Sequence, residues 1–218
     1  MKKIPFMAAF VWLVWAFPLA YLIYIWPTLP TTVPVHFNIN GEPDRMGSKS
    51  EMAFGVCLMA VLSVGIYFLM KYLPKIDPKQ KDKDTGTVFI KIGYAVILLL
   101  SGIGVSIIYS TVTTKLEFDY LLFPALGIFF SYLGNIMYNM KPNYFAGIRT
   151  PWTLDNEDNW KSTHRLAGKL WFGGGIVITI GTLLIPVKIA FIFFMIIITI
   201  ITLVPIIYSY RYFKKHQS

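Results

Sequence analysis

The sequence predicts an all-α integral membrane protein: six transmembrane helices, a small extended extracytoplasmic loop and a structured cytoplasmic loop. Three observations lead there. The 218-residue chain is 56% hydrophobic and only 14% charged, against the roughly 25% charged residues of soluble domains. Its mean hydropathy of +0.58 comes from long apolar blocks, each near the roughly 20 residues that cross a bilayer core. The lysines and arginines gather on one side of those blocks, as the positive-inside rule expects of a cytoplasmic face.

The blocks cover residues 4–26, 52–73, 88–110, 120–138, 170–185 and 189–208. A helix satisfies its own backbone hydrogen bonds in lipid, so each block reads as one helix. Lys2 and Lys3 before the first block resemble the start of a signal peptide. Its apolar run, however, exceeds the roughly 7–15 residues of such a segment, and no clean small-residue cleavage site follows, so it is expected to stay as a first helix. Pro18 and Pro205 interrupt the first and last blocks, where proline kinks a helix. Gly102, Ser106 and Ser110 recur every fourth residue on the third, which predicts close approach of another helix. The lone cysteine, Cys57, leaves no intrachain disulfide to form. The two halves show no convincing repeat, so an inverted-repeat transporter gains no support.

An even number of spans puts both termini on one side. With them go Lys71, Lys75, Lys79, Lys81, Lys83, Lys91, the basic residues of segment 141–169, Arg211, Lys214 and Lys215, which leaves only Arg45, Lys49, Lys115 and Lys188 opposite. Both termini and segment 141–169 are therefore expected in the cytoplasm. The net charge of +9 would suggest nucleic acid in a soluble protein. Here it matches anionic lipid headgroups, at about 1 kcal/mol per basic residue near the surface, and no direct nucleic-acid binding is expected.

The first outer loop, residues 27–51, opens with Pro27, Pro30 and Pro34, which favour extended backbone. Val35, Phe37 and Ile39 then alternate with His36, Asn38 and Asn40, the period of a strand. Asn40-Gly41 suits a tight reversal, so the loop reads as a small extended cap or hairpin, with Pro43 weakening any return strand. The apolar set is expected to face the bundle. The inner loop 75–84 mixes charges without an apolar pattern and reads as a solvated linker. The chain divides into an N-terminal two-helix module, residues 1–87, and a four-helix module, residues 88–218.

Segment 141–169 holds two of the four arginines, Arg149 and Arg165, and the polar residues that are expensive beside a membrane. Pro142 and Pro151 bracket a turn containing Gly147. Asp155 suits an N-cap, with Glu157 and Asp158 in the following turn, so a helix starting there runs into the fifth block. Trp160, His164, Ala167 and Trp171 share one face of it, and Lys161, Arg165 and Lys169 another. Tryptophans and basic residues commonly anchor helices at the interface. The turn from Tyr144 to Trp152 adds a guanidinium, Arg149, set among aromatics. It suits a fixed donor for a carboxylate or phosphate, or a protein-docking surface, with the guanidinium expected to be buried on a fixed anionic or carbonyl partner, internal or external.

Other chemistry finds less support. His36, Glu42 and Asp44 are metal-ligating types, but their spacing matches no established pattern. No metal or cofactor is expected. Ser162 and His164 are two apart on a helix and point to different faces. No G-x-S-x-G or H-E-x-x-H motif appears, so no enzyme is expected. Lys91 and Asn135 lie near helix ends and no acid lies at mid-membrane, which disfavours transport by a charge relay.

Residues 134–168, GNIMYNMKPNYFAGIRTPWTLDNEDNWKSTHRLAG, closely resemble the signature of the Sdp immunity protein family, with Ala146 where an aromatic is expected. Residues 29–49, LPTTVPVHFNINGEPDRMGSK, resemble the short domain of unknown function often fused before it. The resemblance implies a bacterial multi-pass membrane protein that gives resistance to a secreted peptide toxin and also acts as a receptor drawing a transcriptional repressor to the membrane. On the cytoplasmic side it carries over to Asn135, Lys141, Pro142, Asn143, Gly147, Arg149, Thr150, Pro151, Trp152, Trp160, His164 and Arg165. On the outer side it carries over to Pro34, His36, Phe37, Gly41, Glu42, Pro43 and Asp44, and Asn40 joins them as a binding candidate. The expected partners are membrane lipids, a peptide toxin outside and a repressor inside. The alternative is a small transporter or lipid-handling protein with a pocket near Arg149.

Overall fold

A computed structural model describes residues 4–38, 43–78, 83–113 and 118–216. In chain order they form α1 (Ile4–Ile25), β1 (Thr32–Phe37), β2 (Pro43–Ser48), α2 (Lys49–Ile76), α3 (Lys83–Thr113), α4 (Phe118–Met137), α5 (Pro151–Asp155), α6 (Glu157–Leu184) and α7 (Val187–Lys215). Six of these helices are long and apolar enough to cross a membrane. Pro18 and Pro205 lie inside α1 and α7, as expected, and Pro74 and Pro124 lie inside α2 and α4.

The hairpin pairs β1 antiparallel with β2, Thr32 opposite Ser48 and Phe37 opposite Pro43. Pro43 does not prevent the return strand, because it is the strand's first residue, where the missing N–H is tolerated. Val35 packs toward the bundle as expected, and Val33, which the alternation did not single out, is wholly buried. They cover Leu22, Ile25 and Leu29 on one side and Met52, Val56 and Ile108 on the other. Ile39, Asn40, Gly41, Glu42 and the side chain of Phe37 lie outside the described residues. Ser48 ends the hairpin and caps α2 by accepting the Glu51 N–H at 3.1 Å.

Between α4 and α6 the backbones nearly touch. A Cβ at Gly168 would lie 2.8 Å from Tyr138 Cα, and one at Gly134 would lie 2.8 Å from the Gly168 carbonyl. Gly127 and Gly175 face each other the same way two turns further along. On the expected stripe of α3, Ser110 is buried but Gly102 is not approached in this way. A Cβ at Gly102 meets nothing within 4 Å, and Ser106 donates its hydroxyl to the Gly102 carbonyl of its own helix. Small-residue spacing marks permission to approach; the facing helix decides whether it is used.

Candidate functional site

The chain between α4 and α6 is folded by side chains taking up its backbone donors. Asn143 is fully buried, and its Oδ1 accepts from the N–H groups of Phe145 at 2.9 Å and Ala146 at 2.7 Å. Its amide donates back to the Lys141 carbonyl at 3.0 Å, the local turn chemistry asparagine favours. The Tyr144 N–H goes instead to the carboxylate of Asp77, 3.0 Å away at the end of α2. Asp77 is only 6% exposed. This corrects the reading of loop 75–84 as a solvated linker at its first acidic residue, which is built into the motif; residues 79–82 lie outside the described residues.

Gly147 follows with φ at 103°, a region costly for residues carrying a Cβ. A Cβ there would also collide with Nε2 of His164. That nitrogen accepts the Ile148 N–H at 3.0 Å, and Nδ1 lies 2.9 Å from the Trp160 carbonyl. The two bonds assign the neutral imidazole protonated on Nδ1. The ring stacks on Trp160 with centroids 3.9 Å apart, and the Trp160 indole donates to the Met140 carbonyl at 2.8 Å. With both ring nitrogens engaged, His164 is not poised as a base for Ser162, Thr163 or Thr150.

Thr150 starts α5 in a reciprocal capping box with Thr153, whose hydroxyl also reaches the Ile148 carbonyl at 2.8 Å. Asp155 closes α5, and Asn156 caps α6 in the place expected of Asp155, accepting the Asn159 N–H at 2.8 Å. The last bonds reach α7. Trp152 donates to Ser209 Oγ at 2.7 Å, and the buried Asn159 donates to the Ser209 carbonyl at 3.0 Å. Trp152 also stacks on Phe213.

Asn143, Thr150, Trp152, Trp160 and His164 thus come together, as internal partners of one clamp. Three predicted residues do not join them. Arg149 is exposed, and its guanidinium donates to the Tyr144 carbonyl in the same turn. The guanidinium is not buried as expected, because the carbonyl partner expected for it reaches it at the surface. Arg165 lies on the exposed stripe with Lys161 and Lys169, and Asn135 on an exposed face of α4. Asp77, Thr153, Asn159 and Ser209 were missed. Asp77 precedes Pro78 at a helix stop, and Asn159 is one turn before Thr163, to which it is bonded at 3.0 Å; both signals were readable.

At the other end of α2, His36 and Asp44 pair across the hairpin at 2.6 Å and stay exposed. Arg45 pairs with Glu51 at 2.6 Å, and Lys49 donates to the Trp26 carbonyl at 3.1 Å while covering its ring. Both ends therefore carry polar surfaces tied by side-chain hydrogen bonds.

The SdpI/YfhL protein family matches residues 139–209, and a domain of unknown function, DUF1648, matches residues 13–61. The chain is 30% identical over 198 residues to "Immunity protein SdpI" of Bacillus subtilis (strain 168), covering 88% of this chain and 89% of that relative. A 52-residue stretch is 48% identical to an uncharacterized protein of Archaeoglobus fulgidus, covering 24% of this chain and 25% of that one. No solved structure matches it.

Proposed function

We propose, because this chain belongs to the SdpI/YfhL protein family, that it is a membrane immunity protein protecting a bacterial cell from a secreted peptide toxin. The observation that carries this reading is the extent of the likeness to the Bacillus subtilis immunity protein, which runs through nearly the whole of both chains. The hairpin with its exposed His36–Asp44 pair meets the toxin or its target outside. The clamp faces the cytoplasm, an orientation supported by the distribution of lysine and arginine. It displays Tyr144 and Arg149 on a fixed backbone, a surface suited to holding a repressor at the membrane.

The test is survival. A sensitive bacterial strain expressing the chain is challenged with secreted, envelope-active peptide toxins beside a strain carrying the empty vector. Protection against at least one peptide is expected. A correctly inserted chain that protects against none would overturn the reading.

A further inference from the structure

A lateral groove of about 470 Å³ opens between α1, α3 and α4, within the roughly 300–1,000 Å³ range of ligand clefts. Ala95, Leu98 and Gly102 of α3 form its floor, and Phe10 of α1 with Ile128 and Tyr132 of α4 its walls. All six lie in membrane-spanning helices, so the groove faces acyl chains rather than water. The missing side chain of Gly102, with open space where its Cβ would stand, deepens the floor.

The groove ends in polar residues. Lys91, Ala95, Leu98 and Gly102 stand at i, i+4, i+7 and i+11, one face of α3. Ile128, Tyr132 and Asn135 stand at i, i+4 and i+7 on α4. Ile92 and Ile136, the chain neighbours of Lys91 and Asn135, pack into the same cluster around Trp160. Lys91 and Asn135 therefore share one level, at the clamp-side mouth of the groove. Both are exposed, and among the described residues neither side chain has a hydrogen-bond or ion-pair partner. A cation and an amide donor at headgroup depth complement a phosphodiester whose acyl chain fills the trough.

We propose that this groove binds one anionic phospholipid, its phosphate held by Lys91 and Asn135 and one acyl chain lying along Ala95, Leu98 and Gly102. The site stands apart from the immunity reading and needs no toxin.

Native mass spectrometry of the full chain in detergent, titrated with phosphatidylglycerol or phosphatidylcholine, reads the binding directly. Phosphatidylglycerol should bind about fivefold more tightly, the contribution of one interfacial lysine, and Lys91→Gln should remove that preference. Gly102→Phe should lower binding of both lipids with the melting temperature unchanged, since the new ring enters open space. If that variant fails to assemble, Ile128→Trp on the exposed wall closes the same groove. Equal binding of the two lipids by the unmodified chain would overturn the proposal, as would binding indifferent to a filled groove. Complete displacement by glycerol phosphate would remove the acyl-chain half of the claim. Displacement by an apolar helical peptide at matching concentration would give the groove to a peptide instead.

Discussion

The N–H of Ile148 donates to Nε2 of His164 at 3.0 Å, across a loop that turns at Gly147. The bond closes only because no side chain stands at position 147. Gly147→Ala should therefore destabilise the protein by at least about 2 kcal/mol, combining left-handed strain with the clash. Thermal denaturation in detergent measures it. Adding His164→Ala should recover part of that loss, since it removes the clash; additive losses would show that the two residues do not meet.

Asp77→Ala leaves the Tyr144 N–H without its acceptor at a nearly buried site. We expect a loss of about 1–3 kcal/mol, while Asp77→Asn, which keeps an acceptor oxygen, should lose less. Equal stability of Asp77→Ala and the unmodified chain in the same denaturation experiment would remove Asp77 from the clamp.

Trp152 and Ser209 tie α5 to α7 through one 2.7 Å hydrogen bond. A double-mutant cycle with Trp152→Phe and Ser209→Ala should give a coupling energy of about 1 kcal/mol. A value near zero would mean the ring packing alone holds α5.

Arg149 is exposed and bonded to its own turn, so Arg149→Ala should change stability by less than about 1 kcal/mol. If the clamp surface recognises a partner, protection or repressor recruitment should nevertheless fall sharply, and Arg149→Lys should not restore it, because lysine lacks the planar fork. Full function in Arg149→Ala would take Arg149 out of recognition.

Orientation is open to chemical labelling in a Cys57→Ser background. Met46→Cys, on the exposed face of β2, should react with membrane-impermeant thiol reagents in intact cells. Glu157→Cys, at the start of α6, should be protected until the cells are opened. The opposite pattern would invert the assignment of the two ends.

The helices were legible because apolar length is a property of each segment alone; even the hidden start of α6 announced itself through acidic residues in its first turn. The hairpin was half legible: alternation marked β1 and Asn40-Gly41 the reversal, but Pro43 weakened the expectation of a return strand that its terminal place allows. What the pattern could not carry was pairing at a distance. Asp77 and Tyr144 stand 67 residues apart, and nothing local tells an aspartate after a helix which N–H it will meet. The glycines show the same limit. Gly127 with Gly134, and Gly168 with Gly175, each span one heptad, yet only the facing helix turned those spacings into contact while Gly102 was left open.

The helix α2 starts at the hairpin, whose last residue is its cap, and ends at the carboxylate that holds Tyr144. Its 28 residues make a rod of about 40 Å at 1.5 Å per residue. The hairpin and the Tyr144 turn are thus joined through a single helix. A displacement of the hairpin would reach the Asp77 carboxylate along one helix, with Pro74 in its last turn as the place where the line can bend.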